Sequence, residues 1–484
     1  MCALRPGEVF PLASGQQRER PAHRALAHAA MASVRILQRR VESEPHGAAL
    51  AAAFRDRRFD LAHAEALTSV PSFGKPRALI LPFPPAALDR VRVLDLSRVL
   101  AGPWATQIMG DLGAEVLKIE KPGAGDDTRH WGPPFVMTPE GAQGDAAYYL
   151  AANRNKRSLA IDFAKPEGAA LIRQLVPHCQ VLVENFKTGG LKKYGLDYES
   201  VRALNPALVY CSITGFGQTG PYAKRPGYDY VIQGMGGLMS LTGEPEGEPM
   251  KSAVAVADLF TGMYAVTATL AALRHAERTG QGQQIDISLL DSQVAMLANL
   301  GASYLLSGER PQRLGNQHAA IAPYQVLATS DGHIILAIGN DGQFRDFCAT
   351  AGVALADDPR FADNESRVLN RADLTAALAL IMAGRTSAEW VAALEEAQVP
   401  CGPINGLDQV YADPHVQARG AVHTMTRADG GEVRLAASPI RMSATAPTPR
   451  LAPPLLGQDT DQVLREMLSL NAEDLHTLRN AGVI

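Results

Sequence analysis

No two of the five cysteines (Cys2, Cys179, Cys211, Cys348, Cys401) form a C-x-x-C pair, and their number is odd. Scattered in this way they argue against a disulfide framework and against a zinc site, and they suit a reducing compartment. The chain also lacks H-E-x-x-H and any Cys/His cluster, so metal catalysis has no ligand set and no metal is expected. It has no G-x-S-x-G elbow for a serine nucleophile. Gly74-Lys75-Pro76 follows no upstream P-loop glycine, which leaves P-loop ATP binding unsupported. A net charge of −4 over 484 residues predicts no bulk attraction to nucleic acid. No apolar run is read as reaching the roughly 18 residues of a membrane span, so no membrane partner is expected. What is present is an ordinary globular composition, long enough for two or three domains with ample core.

Residues 1 to about 88 differ from the rest. Arg18, Arg20, Arg24, Arg35, Arg39 and Arg40 precede most of the acids, as in a transit peptide, whereas Glu42, Glu44, Asp56 and Asp60 count against one. A poorly ordered extension, or a start assigned too early with Met31 as one candidate, fits as well. A cytoplasmic location is expected, or a mitochondrial one if the extension is a transit peptide.

From Val91 the pattern is regular. Val91–Leu96, Glu115–Glu120, Arg157–Asp162, Val181–Glu184 and Leu208–Ile213 read as strands. Helices separate them: one opened by Pro103 and closed near Gly110–Gly113, one over Pro166–Cys179, and one around Tyr198–Leu204. Strands alternating with helices of this length imply parallel βαβ units, hence an α/β fold with a doubly wound, mostly parallel sheet. A further strand is expected at Gln284–Leu289, followed by a helix through Leu300. The texture changes near Arg310, and residues 320–405 read as a smaller inserted α/β domain with a strand at His333–Ile338. The large domain is then 89–305 plus 415–484, with linkers at 306–319 and 406–414, a β-rich stretch at Glu432–Leu435 and one closing helix, Asp459–Leu468.

Asp258 stands in Ala253-Val-Ala-Val-Ala-Asp258-Leu-Phe-Thr261-Gly262-Met263, where nearly every neighbour is apolar. A buried charge costs several kcal/mol unless paired or hydrogen-bonded. Aspartate is also a favoured N-cap, and Leu259–Leu273 reads as a helix, so the residues alone leave cap and chemistry both open. Gly215-Phe-Gly217-Gln-Thr-Gly220 matches G-x-G-x-x-G but runs into Pro221 and Pro226 instead of a helix, which speaks against a dinucleotide site. What remains for covalent chemistry is carboxylates. With a reference pKa near 3.9 they are ionised at neutral pH without a base, and they can attack only an activated acyl group. That is the logic of a transferase that conserves thioester energy.

Several ordered stretches carry a resemblance. They are Asp95-Leu-Ser-Arg98-Val-Leu-Ala101-Gly-Pro103, Gly110–Asp126, Asn153-Arg-Asn-Lys156-Arg-Ser158, Val183-Glu-Asn185-Phe186, Gly227-Tyr228-Asp229, Asp258 with Thr261-Gly-Met263, Pro400-Cys-Gly-Pro403 and Pro454-Leu-Leu-Gly457. In this order they resemble the family III CoA-transferases (the CaiB/BaiF family), over about 89–484. Gly125-Asp-Asp-Thr-Arg129-His-Trp131 and Tyr210–Pro221 are most similar to the succinyl-CoA:glutarate (hydroxymethylglutarate) branch. The resemblance implies that Asp258 is the nucleophile, passing through aspartyl-acyl anhydride and aspartyl-CoA thioester intermediates. It implies CoA contacts from Arg98, Val99, Ala101, Lys121, Ile161 (with the segment to Ala164), Asn185, Phe186, Lys193, Tyr228 and Asp229. It also implies a substrate loop at Asn340, Asp341 and Gly342, and an interlocked homodimer. Lys121, Lys192 and Lys193 lie near strand C-terminal ends, where open α/β sheets bind ligands. CoA thioesters are then substrates, and no cofactor is permanently bound.

Within the same fold, α-methylacyl-CoA racemases shuttle a proton with a histidine in a G-H-D run. Tyr228 stands in its place here, and a phenol of pKa near 10 is a poor shuttle at neutral pH. The reading is therefore CoA transfer from succinyl-CoA to a glutarate-type dicarboxylate, with Arg129 or cations near it pairing the distal carboxylate. His318, in Gly315-Asn-Gln-His318, could face the substrate, though a lone histidine is more often structural. The alternatives are an oxalate- or carnitine-type transferase, the racemase, and a non-catalytic CoA- or NAD-binding protein.

Overall fold

The computed structural model describes residues 86–484. The expected N-terminal extension, with its transit-peptide and Met31 alternatives, lies outside the described residues up to position 85. Leu88, at its expected end, donates its N–H to Leu112 O and packs on the first core.

Six parallel strands form the main sheet: β1 (Arg92–Asp95), β2 (Glu115–Glu120), β3 (Lys156–Ala160), β4 (Val181–Glu184), β5 (Val209–Thr214) and β6 (Gln284–Ser288), in the order β3-β2-β1-β4-β5-β6. Successive side chains point to opposite faces of a strand, so the register decides which core each enters. Val93 pairs with Val116 and Val181 on one face, and Leu94 pairs with Leu117 and Leu182 on the other. Helices cover both faces. On the first lie α1 (Ala101–Asp111), α3 (Asp229–Met235), α4 (Val256–Thr279) and α5 (Leu289–Met296). On the second lie α2 (Pro166–Leu175) and the closing helices Thr460–Leu468 and Ala472–Asn480. The second closing helix was not expected. Beyond β6 the expected single helix is two, α5 and Ala298–Ser307.

The free edge of β3 is covered by the distant end of the chain. Ser158 N–H donates to Asp459 Oδ2 and Asp459 N–H to Ser158 O, each at 2.9 Å, and Ala160 N–H donates to Thr460 Oγ1 at 2.9 Å. Two short hairpins, Phe135–Met137 with Gln143–Ala146 and Val422–Thr426 with Glu432–Ala436, share a small core of Val136, Tyr149, Leu150 and Val433.

A separate core is built around the antiparallel sheet β9-β8-β7: β7 (Tyr324–Ala328), β8 (His333–Ala337) and β9 (Cys401–Pro403). Phe344, Phe347 and Trp390 fill it, with Trp390 Nε1–H donating to Met382 O at 2.8 Å.

Two expectations are corrected here. Asp258 is not the N-cap of its helix. α4 begins at Val256, its N-cap is Ala255 without a side-chain cap, and Asp258 stands inside the first turn. The apolar run before Asp258 extends the helix backwards past it. The expectation that no apolar run reaches spanning length also fails: α4 has 24 residues and a mean hydropathy of 1.5 over its most apolar window, long and apolar enough by composition to cross a membrane. Its Ala257, Thr261, Gly262, Ala265, Ala272 and Ala276 are buried against the first face of the sheet and α1.

Beneath β1, β2 and β3 lies a set of buried charges. Lys156 Nζ sits 3.1 Å from Asp95 Oδ2, and Lys118 Nζ 2.9 Å from Asp126 Oδ2, all four side chains without solvent exposure. Burial alone would raise Asp126, but the Lys118 ammonium and hydrogen bonds from Thr128 carry it down to about 2. Burial pulls the Lys156 ammonium down to about 8 in spite of Asp95. On the far side of α1, Asp111 takes Arg154 in a two-pronged pair (2.9 and 2.5 Å) and accepts from Asn155 at 2.7 Å. Asp111→Ala leaves the Arg154 guanidinium buried without its carboxylate, and the expected loss is about 3–5 kcal/mol of unfolding free energy. Urea unfolding of the variant checks this; a loss within that of ordinary surface substitutions contradicts it.

Candidate active site

The strand order reverses between β1 and β4, and the chains leaving their C-terminal ends splay apart. Open α/β sheets bind ligands in the crevice so formed. A cavity of about 450 Å³ lies there. Arg98–Ala101 line it after β1, Phe163 after β3, Asn185–Thr188 after β4, Thr214 and Gly215 after β5, and Leu289 after β6. Arg225–Tyr228 and Asp258 complete the wall, with Lys193 and Tyr194 at one side.

Gly262 sets how close α4 approaches α1. A Cβ there would meet Ala101 O at 2.8 Å and Trp104 Cδ1 at 3.1 Å, so a larger residue would push the helices apart. One turn earlier on α4, Asp258 enters the cavity beside the first turn of α1. Of the two carboxylates that line the cavity, Asp127 is exposed and paired with Arg98 at 3.3 Å. Asp258 is half-buried and has no cation partner among the described residues. Its own N–H donates to Asp229 Oδ1 at 3.2 Å, and Asp229 Oδ2 accepts from Gln233 Nε2 at 2.7 Å. Burial, and then the negative charge of Asp229, push the Asp258 carboxyl up to about 7. The expectation that this carboxylate is fully ionised at neutral pH is therefore corrected. Desolvation is the reason, opposed in part by the positive end of α4, which favours an anion in the first turn.

The sequence-predicted residues Arg98, Val99, Ala101, Asn185, Phe186, Lys193, Tyr228 and Asp258 come together in this one cavity. Others do not. Ile161 is 1% exposed and belongs to the second core, its N–H spent on Glu120 O; its neighbour Phe163 reaches the cavity instead. Lys121 and Lys192 are exposed and outside the lining. Asp229 stands behind Asp258, bound to its backbone, and does not line the cavity. The loop Asn340, Asp341 and Gly342 is likewise absent from the lining. Asn340 caps the following helix through Gln343 N–H at 3.0 Å, and Asp341 Oδ1 is held by Arg367 at 2.7 Å. Arg129 is no substrate cation: it is 3% exposed, and its donors go to Glu120, Asp145, Tyr149 and Pro454 O.

Sequence reasoning missed Lys187, Arg225, Thr188 and Tyr148. Lys187 and Arg225 both follow strand ends, the signal that marked Lys193, and both line the cavity. The Arg225 guanidinium lies over Tyr222 (4.5 Å) and Phe216 (5.5 Å), braced by rings. Arg98 lies 5.2 Å over Phe186, which packs edge-on against Phe163. The Thr188 hydroxyl is sealed from solvent with no protein partner. Burial raises the Tyr148 phenol, and the charges of Asp258, Asp229 and Asp126 raise it further. Nothing in the sequence around Tyr148 signals that. The arrangement can hold a phosphorylated, partly aromatic ligand against cations and rings, with one desolvated carboxylate beside it. Gly215–Gly220 is followed by turns, and the next helix begins at Asp229, so no helix N-terminus receives a pyrophosphate there.

The profile of CoA-transferase family III matches residues 88–460. The succinate–glutarate CoA-transferase of Agrobacterium fabrum is 53% identical over 381 residues, covering 78% of this chain and 95% of that protein. The human succinyl-CoA:glutarate CoA-transferase is 42% identical over 398 residues, covering 82% and 90%. A crystal structure of a CaiB/BaiF family protein from Brucella suis is similar at a TM-score of 0.71 and 49% identity, covering 79% of this chain and 99% of that one. With a carboxylate-bearing cavity at the sheet's switch point, and relatives matched over nearly their whole length, the chain belongs to CoA-transferase family III.

Proposed function

We propose that this chain transfers CoA from succinyl-CoA to glutarate or a dicarboxylate of that type, with Asp258 as the covalent centre. What supports the reading is the position of Asp258. It is the one carboxylate in the cavity lining without a cation partner among the described residues, and no cysteine, serine or histidine lines the cavity. The 53% identical relative, itself a succinate–glutarate CoA-transferase, supports the choice of substrates.

The chemistry balances without metal or nucleotide. An Asp258 oxygen attacks the thioester carbonyl carbon, the C–S bond breaks, and CoA leaves as thiolate, so that a mixed anhydride of succinate and Asp258 is formed. The thiolate then attacks the Asp258 acyl carbon and expels succinate, leaving an aspartyl-CoA thioester. The acceptor carboxylate repeats the two steps in reverse, and Asp258 is regenerated. A carboxylate of raised pKa is the stronger nucleophile once ionised. Arg98, Lys187, Lys193 and Arg225 are the cations suited to the CoA phosphates.

The homodimer belongs to the same reading. Phe260, Met263 and Tyr264 on α4, with Leu305 and Leu306, are large apolar side chains left exposed in the single chain, and a second copy would cover them. Residues 320–405, with their own core, would be the smaller domain.

Asp258→Ala should lower transfer by about 10⁴-fold or more, the scale seen when a covalent nucleophile is removed, while CoA still binds. Mass spectrometry of the native enzyme, quenched with succinyl-CoA, should find an acyl or CoA adduct on the peptide containing Asp258. An active alanine variant overturns the assignment. For pH, the nucleophile must be ionised, so kcat/KM should rise with pH and level off above about 7. Glu184, beneath the Phe186 turn, is also raised to about 7 by burial, so the limb should persist in Glu184→Gln. The raised pKa also has a sign for stability. The folded chain holds this proton more tightly than the unfolded one, so folding weakens as pH rises from 3.8 through about 7. Asp258→Asn should therefore melt higher than the native protein at about pH 8, and the gap should close below about pH 4. Light scattering should give the mass of a dimer; a monomer mass contradicts the paired assembly.

A further inference from the structure

Val99 holds φ +69°, in a left-handed region that β-branched residues avoid. Such a conformation persists only where the surroundings over-determine it. Here three side chains do so. Asn185 grips both atoms of Arg98: its Oδ1 accepts Arg98 N–H at 2.9 Å and its Nδ2 donates to Arg98 O at 2.6 Å. Asp126 accepts Val99 N–H on both oxygens at 3.3 Å. Lys118 Nζ donates to Ser97 O at 3.1 Å and to Asp126 Oδ2 at 2.9 Å. Asp126 is fixed in turn by Thr128, through N–H at 3.0 Å and Oγ1 at 2.8 Å. Lys118 and Asp126 are both without exposure and neither lines the cavity, so neither touches a ligand there.

We propose that the buried Lys118–Asp126 pair is a positioning device, which holds the strained Val99 turn so that Arg98–Ala101 stand in the cavity beside Asp258. A buried ion pair is weak ground for stability alone, since a well-packed apolar pair of similar volume often serves as well. This pair does what an apolar pair would not. It takes the carbonyl on one side of the turn and the N–H at its strained residue, and so dictates the direction of the peptide between. Val99 then presents its position to the ligand at the expense of a conformation it would leave if released.

The proposal rests on reading the cavity as an acyl-CoA site, and the test separates the two. The paired substitution Lys118→Met with Asp126→Leu is made in the native chain and in a Val99→Gly background, because glycine takes a positive φ without steric cost. The readouts are the dissociation constant for free CoA and the KM and kcat for succinyl-CoA, with melting curves to establish that each protein is folded. In the native background the paired substitution should weaken CoA binding and raise KM about tenfold, equivalent to ~1.4 kcal/mol, with kcat changed far less. In the Val99→Gly background the same substitution should cost less than about threefold, because no strain remains to be held. Equal costs in the two backgrounds overturn the positioning role, since a merely structural pair would be indifferent to the residue at this position. Where the paired variant does not fold, Asp126→Asn is put through the same cycle, and equal costs there overturn it too. Absence of CoA binding and of transfer in the native protein sinks the acyl-CoA reading itself.

Discussion

Asp95 and Lys156 face each other at 3.1 Å, and Lys118 and Asp126 at 2.9 Å, with no side chain of the four reaching water. Charges placed there are tolerable only while every partner stays in register, because an unmatched one costs several kcal/mol. β1, β2 and β3 are thereby fixed to one another by more than their ladder hydrogen bonds. The connection leaving β1 inherits that precision: Ser97 N–H and Oγ–H donate to Asp95 Oδ1, and Thr106 Oγ1–H to Asp95 Oδ2. The cavity wall is thus an outgrowth of a charge lattice in the sheet.

Asp258 shows the opposite use of a buried charge. The lattice carboxylates are matched, whereas Asp258 meets another carboxylate, Asp229, through its backbone and finds no cation among the described residues. Desolvation and like charge raise its pKa, and the first turn of α4 restrains the rise. Such tension is destabilising in the empty protein, and it suits the role of nucleophile proposed for Asp258, which must be available but not comfortably paired.

The doubly wound sheet was legible because its strands are near-continuous apolar runs between turn residues; Glu115–Glu120 and Val181–Glu184 end where the sequence alone puts them. The start of α4 was not, because Ala253–Ala257 is apolar and helix-permissive and nothing marks Ala255 as the cap. In the site, Arg98, Asn185 and Phe186 were given by the resemblance, while position at strand ends alone marked Lys121, Lys192 and Lys193, of which only Lys193 lines the cavity. Arg129 was misread because its partners, Glu120, Asp145 and Pro454 O, are assembled by the fold, and no spacing reveals that its donors are spent. Ile161 and Phe163 show the same limit on a smaller scale: both follow β3 and touch the second core, and only the course of the chain beyond the strand brings Phe163 to the cavity. Tyr148 comes under the charge of Asp258 only through tertiary packing.

The edge of β3 is closed by Asp459 and Thr460, some 300 positions further along the chain, and Asp162 N–H is taken by Val483 O. An open strand edge is a template for pairing with another chain, and this one stays open until the last helices arrive. During synthesis β3 emerges some 300 residues before the residues that cover it. The sheet is therefore left with an exposed flank until those residues are made, and loop closure over so long a separation is slow. Loss of Asp459 and Thr460 would reopen that edge, a vulnerability that follows from where this chain keeps its cover.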